Sequence, residues 1–219
     1  MLTKDNFDFD GVVSQSSLSI PYLSFNDNKS LLDFLYYHVN KQRDFKVCFL
    51  KKKNDNSIVA SKHYFYSQLA FNSSINDNKG FDFKNASFEN YFLQKVNNRQ
   101  IFNNEIVLDF ENFDVFKNFL RFYKLFFRLL SGALEHVEGY VFFSGSRGLH
   151  VHFFFDFDVN KDDVLKKSLS LLGADACKGA DYSLIALENA PHWKTNKKKT
   201  LLGVLRAGKF FRVVAGGGL

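Results

Sequence analysis

Cysteine is almost absent from this chain: Cys48 and Cys177 are the two in 219 residues, and they show no C-x-x-C spacing. Neither a disulfide framework nor a four-cysteine zinc site has support, so no structural zinc is expected, and the usage fits a reducing compartment. Proline occurs only twice, and no Gly/Ser-rich or low-complexity run divides the chain. No internal linker is therefore expected, and residues 1–219 read as one domain large enough to bury a core without staples. The opening Met1–Asn6 lacks the apolar core of a signal peptide, and every apolar run is far shorter than the ~20 residues a bilayer requires. A soluble, intracellular protein without membrane contact is expected. Acidic residues, too, are missing after Glu188, where Lys194, Lys197, Lys198, Lys199, Arg206, Lys209 and Arg212 accumulate. That stretch is either a solvated basic tail or a surface that meets phosphate.

What is abundant is phenylalanine, with 28 residues, so much of the core is aromatic. A net charge of +6 and a pI of about 9.1 permit nucleic-acid binding without requiring it. Along the chain, residues 1–20 read as an irregular or partly ordered arm, and Lys29 to about Lys41 as a short amphipathic helix. Phe45–Leu50 and Ile58–Tyr66 form a hairpin with the polar tip Lys51–Asn56, and His63 is placed as a surface or core histidine. Ser87 suits the N-cap of a helix from Phe88 to about Asn98. Ile106–Phe110 is apolar on both faces and reads as a buried strand. Phe113, Phe116, Leu120, Tyr123, Phe127, Leu130 and Leu134 recur at helical steps and make one apolar stripe. Tyr140–Phe143 and Leu149–Phe155 are strands joined by a Ser/Gly turn, and Asp162 to Leu172 is a helix ended by Gly173. Strands at Leu184–Leu187, Thr200–Leu205 and Phe210–Val214 complete an α+β domain with a central mixed or antiparallel sheet flanked by helices, and Gly216–Gly218 is a fraying tail.

Two stretches carry chemistry. Glu105-Ile-Val-Leu-Asp-Phe-Glu111 is an apolar strand ending in two carboxylates. Alternate strand residues share a face, so Asp109 and Glu111 start from backbone positions roughly 7 Å apart and can converge on divalent ions. The same spacing occurs at Asp8/Asp10 and at Asp156/Asp158, the latter also closing an apolar strand and standing as the main rival. In Ser144-Gly-Ser-Arg-Gly-Leu-His-Val-His152 the glycines let backbone amides approach phosphate, Ser144 offers a hydroxyl and Arg147 a guanidinium fork. A plain Ser/Gly hairpin, or a zinc site from His150, His152 and Asp156, is the competing account.

Leu108-Asp-Phe-Glu111 followed by Ser144-Gly-Ser-Arg-Gly-Leu-His150 resembles the first two motifs of the archaeo-eukaryotic primases. That group contains the small catalytic subunit of replicative primase and the polymerase domain of bacterial end-joining ligases. The third motif is similar to Asp175, Asp181, Leu184-Ile185 and Pro191-His-Trp-Lys-Thr195, so the resemblance spans about residues 60–205. It implies that Asp109, Glu111 and Asp175, with Asp181 as the alternative third ligand, hold a pair of Mg2+ or Mn2+ ions. Ser144, Arg147, His150, His192 and Lys194 would bind a nucleoside triphosphate. The implied activity is primer synthesis on a single-stranded DNA template in the cytoplasm, at the nucleoid or replication fork, with an iron–sulfur large subunit as partner. An exposed Phe-rich face would be the place for that subunit to dock. Glu111 replaces a more usual Asp, and Ala186 stands where the family often has a basic residue, a phosphate contact that Lys197–Lys199 would supply instead. A repair or plasmid-type primase-polymerase that extends primers is the alternative enzyme, and a non-catalytic nucleic-acid-binding module the alternative of another class.

Overall fold

The computed structural model describes residues 7–22, 24–40, 42–52, 58–60, 62–71, 76–77, 81–82, 92–129 and 137–215. The expected hairpin tip beyond Lys52, the Ser87 cap, Leu130, Leu134 and the Gly216–Gly218 tail lie outside the described residues. The two larger sheets are built from β1 (Gly11–Ser14), β2 (Lys46–Cys48), β3 (Tyr64–Phe65), β4 (Asn98–Gln100), β5 (Glu105–Phe110), β6 (Gly139–Phe143), β7 (Leu149–Phe154), β8 (Leu184–Ala186), β9 (Thr200–Arg206) and β10 (Lys209–Val214). The α-helices are α1 (Asn28–Phe34), α2 (Tyr66–Phe71), α3 (Phe113–Leu129) and α4 (Asp163–Leu171).

The central sheet has six strands in the order β1-β10-β9-β6-β7-β5. β1 runs parallel to β10 and every other pair is antiparallel, which makes the sheet mixed. Strand alternation divides its side chains between two layers. On one face Leu108, Phe110, Val141, Leu149 and Val151 pack against Phe116, Phe119, Tyr123 and Phe127 of α3 and Leu169 of α4. On the other, Tyr140, Phe142, Leu201 and Val204 meet Val47 and Tyr64 of the second sheet and Leu31 and Leu32 of α1. The second sheet is antiparallel, in the order β8-β4-β2-β3.

The α3 helix starts where the Asn112 side chain accepts from the Val115 amide at 3.0 Å, and its stripe of aromatics faces the core. Its outer face leaves Phe122, Leu125 and Phe126 exposed, beside a cavity of about 330 Å³. Asp162 caps α4 by accepting from the Leu165 amide at 2.9 Å, and Gly173 ends the segment at φ +76°. Among the described residues no helix is long and apolar enough to cross a membrane.

Three expectations need correction. The arm is ordered from Phe7: Gly11–Ser14 pairs with Phe211–Val214, and Phe7 and Phe9 pack on Phe113 and Phe210 at 4.9 and 4.7 Å. A four-residue parallel edge strand is fixed by its distant partner, so no local period announces it. The first helix stops at Phe34 and its chain continues through a wider π-turn, Leu35–Val39. The expected helix reaching Asn98 gives way to a strand at Asn98–Gln100, a segment without a single apolar residue yet wholly buried.

Charge explains that strand. Arg99 is fully buried and its guanidinium forks onto two carboxylates: Glu105 at 2.7 and 2.9 Å, and Glu188 at 3.0 and 2.6 Å. His152 Nδ1 lies 2.6 Å from Glu105, and Lys199 Nζ lies 2.8 Å from His152 Nε2, 2.8 Å from Ala186 O and 3.4 Å from Glu188. Burial, then the neighbouring Lys199 charge, lowers the His152 pKa to about 4, so the imidazole is neutral near pH 7. Since the Lys199 ammonium can only donate, Nε2 accepts and Nδ1–H donates to Glu105. Arg99 and Lys199 then balance Glu105 and Glu188, as buried charge requires.

Removing one partner leaves a buried charge uncompensated. Arg99→Met should therefore cost about 3–5 kcal/mol in urea unfolding, and an unchanged midpoint would contradict the role given to the cluster. The pH dependence has a definite sign. His152 stays neutral in the folded chain down to about 4, against 6.5 for an ordinary histidine, so stability falls as pH drops across that interval. For Glu188, burial alone would raise the pKa, but Arg99 and Lys199 outweigh it and hold it at about 2, so its contribution is lost from 4.5 downward. The melting temperature should fall continuously below pH 6.5, and a plateau down to pH 4 in a thermal scan would refute this.

Candidate active site

The strand β5 delivers Asp109 to the face that looks toward the second sheet, and β7 places His150 opposite it in register. His150 Nε2 is 3.4 Å from Asp109 Oδ1. Burial pushes the His150 pKa well down, helped by Lys199, His152 and Lys178, so this ring is neutral; its buried Nδ1 finds no partner among the described residues. Glu111 lies one residue beyond the strand end, exposed. Gly148 is obligatory here, because a Cβ would sit 2.5 Å from the Phe110 carbonyl oxygen, on the chain between the carboxylates.

Asp175 joins this pair through the backbone: its amide donates to the Asp109 carbonyl at 2.9 Å. Its own carboxylate caps the short 3-10 turn Ala176–Gly179 by accepting from the Cys177 amide at 2.9 Å. That turn carries Lys178, whose Nζ lies 3.6 Å from Asp109 and 4.0 Å from Asp175. The Asp109 pKa is raised, by burial first; Lys178 opposes the shift and the Asp175 charge adds to it. Asp181 is exposed and acts electrostatically on Lys161.

The Ser144–Gly148 turn closes on itself. The Ser144 hydroxyl oxygen accepts from the Ser146 and Gly148 amides at 3.3 and 3.2 Å, which leaves its hydrogen free to donate. Gly145 adopts φ +86°, and a Cβ there would meet the Lys197 carbonyl at 2.5 Å and His192 at 2.8 Å. The His192–Lys197 loop therefore sits directly on the turn, latched by the Thr195 hydroxyl donating to the Gly145 carbonyl. Within that loop the Lys194 amide donates to His192 Nδ1 at 3.2 Å, so the remaining imidazole proton belongs on Nε2. Burial and then Lys194 lower the His192 pKa. Arg147, Lys194, Lys197 and Lys198 are exposed around it.

The fold thus groups Asp109, Asp175 and His150, with Glu111 just past the end of β5, and groups Ser144 and Gly145 with His192. The rival acidic pairs are occupied elsewhere. Asp158 is gripped by Arg43, and Asp156 follows the end of β7 opposite to His150. Asp10 pairs with Lys124 at 2.7 Å and accepts from the Phe210 amide. The zinc set of His150, His152 and Asp156 is not assembled, since both His152 nitrogens are engaged by Glu105 and Lys199. Lys199 is likewise withdrawn from any phosphate role: it is fully buried, and only Lys197 and Lys198 of that run stay at the surface. Two residues had escaped notice. Lys178 stands three positions after Asp175, a spacing that places both on one side of a helical turn, and that spacing was the available signal. Thr195 as a latch had none.

Among the described residues, Glu105, His152 and Glu188 form a group close enough to share an ion. They do not fit one, because Arg99 and Lys199 already neutralise them. Asp109 and Asp175 do fit: they are hard oxygen donors, both partly exposed, and among the described residues their ion-pair partner is Lys178, at 3.6 and 4.0 Å.

A scan against models of known protein families finds no match, and neither does a search of curated protein sequences. Among solved structures, the chain is similar to the polymerase domain from Mycobacterium tuberculosis Ligase D in complex with DNA, with 13% identity over 80% of this chain and 77% of that one, at a TM-score of 0.45. The function is therefore read from the residues themselves.

Gly145 tests how tightly the two loops are joined. Gly145→Ala places a methyl group against backbone at a strained φ, a cost of about 1–2 kcal/mol from conformation alone. In a chain of this size the melting temperature should fall by about 2–8 °C, and a melt identical to wild type would show the loops to be separable.

Proposed function

We propose that the chain is a nucleotidyltransferase of the primase-polymerase type, acting on nucleoside triphosphates at a single-stranded DNA template. The observation that carries this reading is the convergence of Asp109 and Asp175 beside a turn whose Ser144 hydroxyl hydrogen is left to donate and whose neighbouring cations suit a triphosphate. The narrower reading, a replicative primase catalytic subunit that starts chains and works with an iron–sulfur large subunit, rests on the motif resemblance.

Asp109, Glu111 and Asp175 would hold Mg2+ or Mn2+, which when bound lowers the pKa of an attacking 3′-hydroxyl and neutralises charge on the triphosphate. The protein's own share is placement. Ser144 donates its hydroxyl hydrogen to a phosphate oxygen, Arg147 offers its fork to two of them, and His192 Nε2–H and Lys194 approach from the latched loop. His150, neutral and buried beside Asp109, donates a hydrogen bond without adding charge to a site that must accept cations. Lys197 and Lys198 extend the positive surface toward a template backbone. Fixing both reactants on strand ends and latched turns supplies catalysis mainly through orientation and electrostatics.

Asp109→Asn combined with Glu111→Gln should reduce metal-dependent primer synthesis on single-stranded DNA by at least about 100-fold while DNA binding persists. Synthesis at the wild-type rate would sink the assignment. Salt-sensitive DNA binding by the wild-type chain without any turnover would favour the non-catalytic binding module instead.

A further inference from the structure

We propose that Lys178 is a tethered counter-cation for the Asp109–Asp175 carboxylate pair, standing in the place of an ion and giving way when one binds. The inference rests on the metal-binding reading of those carboxylates and concerns how this chain controls their occupancy. Asp109 is 22% exposed and Asp175 39%, and the Asp175 charge adds to the burial that raises the Asp109 pKa, so without a cation the two carboxylates repel each other across a gap only partly open to water. Lys178 fills that gap: its ammonium lies 3.6 Å from Asp109 Oδ2 and 4.0 Å from Asp175 Oδ2, and its side chain is 19% exposed.

The geometry is that of a placeholder. A charge-assisted N–H···O bond between locked partners is about 2.7–2.9 Å long, whereas both distances here are about an ångström longer. The hydrogen bond that Lys178 does make is to the Leu184 carbonyl, at 3.1 Å. The ammonium is thus moored to a neutral backbone carbonyl and leans on the carboxylates at ion-pair distance, 3.6 and 4.0 Å. Its base is firm, because Gly179 packs so tightly that a Cβ would sit 3.2 Å from the Lys166 amide and the Leu169 side chain. Displacing Lys178 therefore asks only a side-chain rotation, with the turn left in place. An entering ion must overcome this resident charge, so the lysine weakens metal binding while it prevents the empty carboxylates from splaying.

The test reads metal affinity directly, by titrating Mn2+ alone into the intact chain and following free Mn2+ by electron paramagnetic resonance. Lys178→Met should tighten Mn2+ binding at least ten-fold over wild type, and Lys178→Arg, which keeps the charge, should stay within about three-fold of wild type. Circular dichroism melts of the three proteins establish that each is folded. Equal or weaker affinity in Lys178→Met, with binding still abolished by Asp109→Asn, would overturn the role of Lys178 and leave the metal site standing. Absence of Mn2+ binding in wild type and Lys178→Met alike would overturn the metal site itself, and the inference with it.

Discussion

The guanidinium of Arg99, held between Glu105 and Glu188, is the interaction on which the rest of the structure depends. It joins the two sheets: Arg99 sits on β4 of the second sheet, Glu105 begins β5 of the central sheet, and Glu188 follows β8. Taking such charges out of water is expensive, and their attraction offsets the cost only when every lone pair and proton is placed. Here they are. Arg99 spends its donors on both carboxylates and the Gln100 carbonyl, the Phe102 amide completes Glu105, and the Arg99 plane stacks 4.3 Å over Phe102. An arrangement with so many simultaneous conditions tolerates one register between the sheets, because a slip of one residue would bury several unpaired charges at once.

That register sets the site. Several segments that carry a candidate functional group also carry a member of the charge cluster a few positions away. Glu105 precedes Asp109 on β5, His152 follows His150 on β7, Glu188 precedes His192, and Lys199 follows the loop that latches onto Gly145. The cluster behaves as a buried footing, and the groups above it differ from it in one respect. Below, donors and acceptors are matched; above, Asp109 has a raised pKa, His150 keeps an unpartnered Nδ1, and Lys178 stays short of contact with either carboxylate. Unmet electrostatic demand is concentrated at these groups, a pattern that clusters at functional sites more than in scaffolds.

Legibility in the sequence followed the range of the forces involved. The strand Ile106–Phe110, the Tyr140–Phe155 hairpin and the α3 stripe were readable because burial imposes a period of two or of three to four on local residues. The grouping of Asp109 with the Ser144–His150 turn was legible only through the resemblance of the two motifs, because no local pattern announces that β5 pairs with β7. The Asn98–Gln100 strand was not, since its burial is driven by charges at Glu105 and Glu188, the latter far along the chain, and every local rule assigns Asn-Arg-Gln to the surface. Lys199 misled for the same reason: in a run of three lysines the sequence cannot say which one turns inward to meet His152. The strand at Gly11–Ser14 depends wholly on its partner near the C-terminus.

Proximity of ligand-type residues does not by itself make a metal site, as two groups in the molecule show by their counter-charge. Glu105, His152 and Glu188 are the more compact group, yet Arg99 and Lys199 are hydrogen-bonded into them, and a metal would have to break several short hydrogen bonds in a region closed to water. Asp109 and Asp175 are looser, and the ammonium they share lies 3.6 and 4.0 Å from them. An ion entering the first group replaces good interactions with comparable ones, whereas an ion entering the second supplies charge that the carboxylates lack. The difference in counter-charge, more than the count of ligands, decides which group can change its occupant.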